Sequence, residues 1–192
     1  NVQKRALDAG MSIGLYLDFA VGVSPDGAET WADSDVTMPD ARVGSPPDMF
    51  NAAGQDWGLA PLSPEALAKR NYTPLAQAYD ALMKNAGAVR IDHVMGLARL
   101  WWIARGHDAR DGGYVRYPLG DMVDVVARAS RANGCIVIGE DLGTVPAGFR
   151  PVMQAANILS YRVLYFEKRE REGFIAPAQY PAGSLDEGQL MA

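Results

Sequence analysis

Apolar residues form two kinds of pattern along this chain. Continuous apolar runs at residues 12–23, 88–97, 135–139 and 159–166 predict strands that are buried on both faces of a sheet. Between them, apolar residues recur at helical spacing, most clearly over residues 119–133 before the stop signal at Gly134. The alternation of strands and helices predicts a parallel sheet covered by helices.

Capping and breaking residues predict the remaining helices. The opening helical pattern should end near Gly10, because glycine is the usual residue past a helix C-terminus. Ser63 is a capping residue followed by proline, and Pro74 should divide the segment after it into two helices. A last helix is predicted from Pro146 to about Ala156.

Two architectures fit this order of elements, half of a (β/α)₈ barrel and an open doubly wound sheet. Acidic residues favour the barrel, because Asp18, Asp92 and Glu140 each lie toward the C-terminal end of a predicted strand. That end of the strands is the active-site face of barrels. We therefore predict an α/β fold with about four βα units of a partial (β/α)₈ barrel. A loop at about 24–62 is also predicted, and loops this long are uncommon unless functional.

Composition and charge exclude several classes of partner. The 192 residues are 48% hydrophobic and 21% charged, which suits one globular domain with a real core. The net charge of −5 makes nucleic acid and anionic membranes poor partners. The single cysteine, Cys135, lies in an apolar run and is expected to be a small buried residue. We expect no membrane span or signal peptide, and a reducing, cytoplasmic compartment.

The candidate chemistry lies in two carboxylates with different surroundings. On a strand, Arg90 and Asp92 share one face and His93 points to the other, so Arg90 should keep Asp92 ionised, as a nucleophile requires. Glu140 follows an apolar run without a nearby cation, which should raise its pKa and suit a general acid. Such a pair suits cleavage of a glycosidic bond. Equally, both carboxylates could simply cap strands and bind loop amides.

Several segments together resemble a known family. Arg-Ile-Asp-His at 90–93 and Gly-Glu-Asp-Leu-Gly at 139–143 look like the two central motifs of the 4-α-glucanotransferases, also called amylomaltases or disproportionating enzymes. Residues 43–48 and 54–58 resemble that family's substrate-covering loop, and residues 14–18 with 29–32 resemble the strand and loop before it. The resemblance runs in the family's order from about residue 10 to about residue 180.

The resemblance implies a retaining mechanism on a (β/α)₈ barrel, with α-1,4-glucans as substrates and neither a cofactor nor a metal. Asp92 matches the family nucleophile and Glu140 its general acid/base, and the acceptor is the 4-hydroxyl of another glucan. The matches to substrate-positioning and substrate-contacting residues are Arg90, His93, Asp48, Gln55, Trp57 and Asp18. Trp57 is expected to stack on sugar, whereas at most one of Trp101 and Trp102 should face it.

One departure from the family concerns its third carboxylate, in a His-Asp pair on a later strand. The pair His107-Asp108 comes too early in the chain to take that role. Residues 177–181 resemble the approach to the strand that would carry it. We expect residues 1–192 to be an internal segment of one catalytic domain, marginally stable and nearly inactive alone.

Three other functions remain open at this point. A metal-dependent hydrolase could use Asp92, His93, Glu140 and Asp141 as ligands, but the chain has only two histidines, and such barrels need several. A glucan-binding segment without chemistry would bind malto-oligosaccharides without turnover. An α-glucan hydrolase would release reducing ends without disproportionation.

Overall fold

The computed structural model describes residues 2–163, 168–169, 173–174 and 189–191. Two short 3₁₀ turns, at Val94–Leu97 and Ala109–Asp111, lie among the helices and strands. In chain order the helices and strands are α1 (Val2–Asp8), β1 (Tyr16–Phe19), α2 (Ala28–Ala32), β2 (Ala41–Ser45), β3 (Gln55–Asp56), α3 (Pro64–Lys69), α4 (Thr73–Met83), β4 (Ala88–Ile91), β5 (Arg99–Ala104), β6 (Gly113–Arg116), α5 (Leu119–Asn133), β7 (Ile136–Gly139), α6 (Phe149–Ala155), β8 (Leu159–Arg162), β9 (Lys168–Arg169), β10 (Gly173–Phe174) and β11 (Gln189–Met191).

The central sheet is parallel, with the strand order β1-β4-β7-β8-β11. The four predicted strands thus pair in chain order, which confirms the predicted parallel sheet. Val89 and Val137 lie in its buried interior, and Cys135 is buried beside them, as expected. In register, Asp18 lies opposite Arg90, and Ile91 lies opposite Gly139. The candidate acids therefore leave neighbouring strands at the same edge of the sheet.

The first strand is shorter than the prediction of residues 12–23. Ahead of its start, the side chain of Gln3 donates to the carbonyl of Ile13 and accepts from the N–H of Leu15, so these two backbone groups bond to a side chain. At its end, Val23 forms an antiparallel bridge with Ala60. The predicted fourth strand is present as β8, and residues 164–166 of that prediction lie outside the described residues, as does the segment 177–181.

The predicted helix boundaries agree well with the structure. The Ser63 side chain accepts a hydrogen bond from the N–H of Ala66 at 3.2 Å, and Pro74 lies in the first turn of α4, after the break from α3. Helix α5 ends where Gly134 adopts a left-handed conformation with φ +59°. Helices α4 and α5 pack against each other, and their buried residues join the core beneath the sheet. No helix in the described part of the chain is long and apolar enough to span a bilayer.

The segment 24–62 differs from the predicted loop, because it contains α2, β2 and β3. Strand β2 pairs with β5, and together they form an antiparallel sheet with the order β3-β2-β5-β6. The partners of β2 lie far along the chain, so local periodicity does not show the pairing. Gly44 is needed in β2, because a Cβ there would collide with the carbonyl oxygen of Gln55.

Candidate active site

Arg90 bridges two of the candidate carboxylates. Its Nη1 donates to both oxygens of Asp18, at 2.8 and 2.9 Å, and its Nη2 donates to Oδ1 of Asp92 at 2.5 Å. The predicted pair of Arg90 and Asp92 is therefore present, and Asp18 joins it from β1. Because the guanidinium is fixed from both sides, it holds the Asp92 side chain in one orientation at the end of β4.

Glu140 follows β7 and is largely buried, with 8% of the residue exposed. Its Oε2 accepts a hydrogen bond from the N–H of His93 at 2.9 Å, and its Oε1 accepts one from the N–H of Leu142 at 2.8 Å. Burial raises the pKa of Glu140, and the negative charge of Asp92 raises it further, against the two backbone donors. The sequence predicted this direction, and a raised pKa favours the protonated form that a general acid requires.

His93 links the ends of β4 and β7. Its backbone is left-handed, with φ +44°, which is a strained conformation for a residue other than glycine. That turn aims the His93 N–H at Glu140. Burial lowers the pKa of His93, and the positive charge of Arg99 adds to this against the opposing effect of Asp92. The imidazole is therefore neutral at pH 7 and can both donate and accept hydrogen bonds.

The residues expected to contact a glucan from the segment 24–62 meet in one groove of about 320 Å³. Trp57 and His93 lie edge to face with ring centroids 5.1 Å apart, and Trp57 Nε1 donates to Oε1 of Gln55 at 3.2 Å. Asp48 also lines the groove, but its Oδ1 accepts the N–H groups of Phe50 and Asn51. Asp48 therefore shapes its own turn as well as the groove wall.

Asp92 and Glu140 lie at adjoining depressions. Glu140 lines the groove with Trp57, whereas Asp92 and Asp18 line a larger, mainly apolar cavity of about 650 Å³. His93 lines both, so the two spaces adjoin at this residue. This differs from the expectation that both carboxylates reach one pocket. The negative charge of Asp92 nevertheless contributes to the raised pKa of Glu140.

Sequence reasoning considered Trp101 but missed Arg99 and Tyr114, which complete this part of the groove wall. Arg99 and Trp101 are two positions apart in β5, so their side chains lie on the same face of the strand. Tyr114 on β6 pairs with Trp101 in register. All three residues line the groove, and the alternation in β5 was the available signal. Trp102 packs against the core instead, whereas Trp101 lines the groove. The expectation that at most one of the two tryptophans faces sugar stays a prediction.

Asp141, considered above as a metal ligand, has a different partner. Arg150 Nε donates to its Oδ2 at 2.6 Å, and Arg150 Nη2 donates to its backbone carbonyl at 3.2 Å. Among the described residues, no group of three or more His, Cys, Asp or Glu side chains is arranged to hold a metal ion. The residues at this site therefore provide two carboxyl groups and several planar side chains.

Comparisons with known proteins agree with this arrangement. A family model described as 4-alpha-glucanotransferase matches residues 1–186. The chain is 45% identical to the 4-alpha-glucanotransferase of Mycobacterium tuberculosis over 88% of its length, and 43% identical to that of Haemophilus influenzae over 94%. These alignments cover 23% and 26% of the two relatives, so the chain spans about a quarter of their length.

Solved structures are similar as well. The amylomaltase from Corynebacterium glutamicum superposes with a TM-score of 0.83 at 40% identity, over 89% of this chain and 24% of that one. The amylomaltase from Streptococcus agalactiae in complex with acarbose gives a TM-score of 0.81 at 21% identity, over 98% of this chain and 38% of that one. These similarities confirm the predicted fold class, a partial (β/α)₈ barrel.

Proposed function

Because the chain belongs to the 4-alpha-glucanotransferase family, we propose that the polypeptide carrying it transfers α-1,4-glucan segments between malto-oligosaccharides. The donor would lose a segment to the 4-hydroxyl of an acceptor glucan. The observation that carries this proposal is the contrast between two acids at one sheet edge. Asp92 is paired with Arg90, whereas burial raises the pKa of Glu140.

The proposed reaction proceeds in two steps with retention of configuration. In the first, the Asp92 carboxylate attacks C1 of the donor sugar while Glu140 gives its proton to the glycosidic oxygen, so the C1–O bond breaks and a glycosyl ester forms. In the second, the acceptor 4-hydroxyl attacks C1, its proton passes to Glu140, and the Asp92 ester bond breaks. Arg90 holds the nucleophile, and neutral His93 contacts sugar hydroxyl groups.

The substrate side of the proposal rests on the groove. Trp57 offers an aromatic surface, and Gln55 and Asp48 offer polar atoms at its rim, which suits an uncharged, hydroxyl-rich chain. We further propose that residues 1–192 belong to one catalytic domain in which the segment at about 24–62 covers the substrate. A cytoplasmic role in maltodextrin or glycogen metabolism fits the single buried cysteine.

Transfer by the polypeptide that carries this chain tests the proposal. With maltotriose as the only substrate, we expect glucose together with longer glucans, separated by chromatography. Asp92→Asn should lower this activity by on the order of 10⁴-fold. The matched control is Asp124→Asn, since Asp124 is an exposed residue of α5 that forms an ion pair with Arg128 one helical turn away, and it should leave transfer unchanged.

A donor with an activated leaving group distinguishes the proposed nucleophile from the proposed general acid. Maltosyl fluoride has a leaving group that needs no proton, so Glu140→Gln should recover much of its first-step activity on this donor, whereas Asp92→Asn should not. Full activity of Asp92→Asn would refute the nucleophile assignment. Release of reducing ends without longer glucans would indicate a hydrolase, and binding of maltoheptaose without turnover would indicate a glucan-binding protein.

A further inference from the structure

The groove continues past Glu140 along the antiparallel sheet, over a row of planar side chains. The row begins with the edge-to-face contact of Trp57 with His93. The positive charge of Arg99 lowers the pKa of His93. The Arg99 guanidinium also stacks over the Tyr114 ring, with Cζ 4.0 Å from the ring centroid. Tyr114 in turn lies edge to face with Trp101 at 5.0 Å. The far end of this row, formed by Arg99, Trp101 and Tyr114, is called the β5–β6 platform here.

The β5–β6 platform is held rigidly although it borders solvent. Trp101 Nε1 donates to the carbonyl of Ala109 at 2.8 Å, which fixes the indole. A Cβ at Gly112 would collide with the same indole, so the backbone packs directly against it. Tyr114 nevertheless keeps 39% of its surface exposed. Fixed aromatic surface next to an open groove costs little conformational entropy when a ligand binds.

The chemistry of the platform suits a neutral sugar chain. Aromatic rings contact the apolar C–H face of a sugar, and the Arg99 guanidinium, oriented by stacking on Tyr114, can donate hydrogen bonds to hydroxyl groups. A phosphorylated or carboxylated ligand is less favoured, because the Asp48 carboxylate also lines the groove. A glucan is thus the ligand class that fits both ends of the groove.

Position along the groove gives the direction of the chain. The general acid contacts the glycosidic oxygen, and the nucleophile contacts C1 on the other side of that bond. The groove contains Glu140 but not Asp92, so it extends toward the leaving group and, later, the acceptor. Resting on the proposed function, we propose that the β5–β6 platform is a glucan subsite for the leaving and acceptor chain, beyond the first sugar unit.

Binding to the polypeptide that carries this chain tests the subsite, in the Asp92→Asn background so that the ligand is not turned over. The described residues that line the groove fall between Gly44 and Thr144. Isothermal titration with maltoheptaose and maltotriose should show tighter binding of the longer chain. Tyr114→Ala should weaken maltoheptaose binding by roughly fivefold or more and maltotriose binding by less. Tyr114→Phe keeps the ring and should restore most of the affinity.

A second variant decides the outcome if Tyr114→Ala fails to fold by circular dichroism. Arg99→Gln keeps the aromatic pair and removes the stacked cation, and it should also reduce the preference for the longer chain. The control is Arg110→Ala, which removes an exposed cation of the same sheet region that does not line the groove. Equal maltoheptaose affinity in the folded Asp92→Asn parent and its Arg99→Gln variant, with Tyr114→Ala also equal if folded, would overturn the subsite, as would no binding by that parent.

Failure of the subsite and failure of the proposed function give different results. Maltoheptaose binding that depends on Tyr114, combined with no transfer from maltotriose, would overturn the function and leave the subsite. Transfer that requires Asp92, combined with binding that ignores Tyr114 and Arg99, would overturn the subsite and leave the function.

Discussion

Replacement of Gly139 by alanine tests how closely the two acid-bearing strands must approach. Gly139 is the last residue of β7, directly before Glu140. A Cβ added there would lie 2.8–2.9 Å from Cβ, Cγ1 and Cγ2 of Val94, which is 1% exposed in the turn after β4. Because all three valine carbons are equally close, no rotation of that side chain opens space.

The expected cost follows from these distances. Favourable carbon–carbon contacts lie at about 3.5–4.0 Å, so each of the three contacts overlaps by roughly 0.6 Å or more. Overpacking of this kind typically costs about 1–3 kcal/mol, and we expect Gly139→Ala to fall toward the upper end. As β7 moves away, the bond from the His93 N–H to Glu140 should lengthen, and loss of that donor should raise the Glu140 pKa further.

Urea unfolding of the purified protein, followed by tryptophan fluorescence, measures the cost. The matched control is Gly120→Ala in the first turn of α5, where the new Cβ meets no atom within 4 Å, and it should be stabilising by up to about 1 kcal/mol. Combining Gly139→Ala with Val94→Ala should cost at least about 1 kcal/mol less than the sum of the single changes. Full stability of Gly139→Ala, or strict additivity in the double variant, would refute the close-approach argument.

Two further predictions concern the loop that follows β7. Burial raises the Glu140 pKa in the folded state, so the folded protein binds more protons than the unfolded chain above pH 4.5, and stability should fall as pH rises from there to the raised pKa. The stability of Glu140→Gln relative to the wild type should therefore increase across that pH window, and a difference independent of pH would contradict this. Arg150→Gln should cost about 2 kcal/mol, because it removes two hydrogen bonds to the largely buried Asp141. Arg128→Gln, which breaks an exposed pair within α5, should cost less than about 0.5 kcal/mol. Equal costs in the two variants would contradict the larger contribution expected of the Arg150–Asp141 contact.

Local sequence determined the elements whose stability is set by nearby residues. The cap at Ser63, the break at Pro74 and the stop at Gly134 each act within one helical turn, so they could be predicted without the fold. The apolar runs of β4 and β7 likewise determined a buried parallel sheet, and strand ends in such a sheet bring Asp92 and Glu140 to one edge.

Tertiary structure alone decided that the site at this edge consists of a groove and a separate cavity, and that the groove extends onto the antiparallel sheet. The left-handed turn at His93 directs its N–H to the Glu140 carboxylate, and His93 lines both the groove and the larger cavity. No local sequence pattern predicts either feature. The pairing of β2 with β5 joins residues some 60 positions apart and brings Trp57 to the same groove as Tyr114. Periodicity reports only which face of an element is buried, whereas the shape of this groove depends on which distant strands pair and how closely they approach.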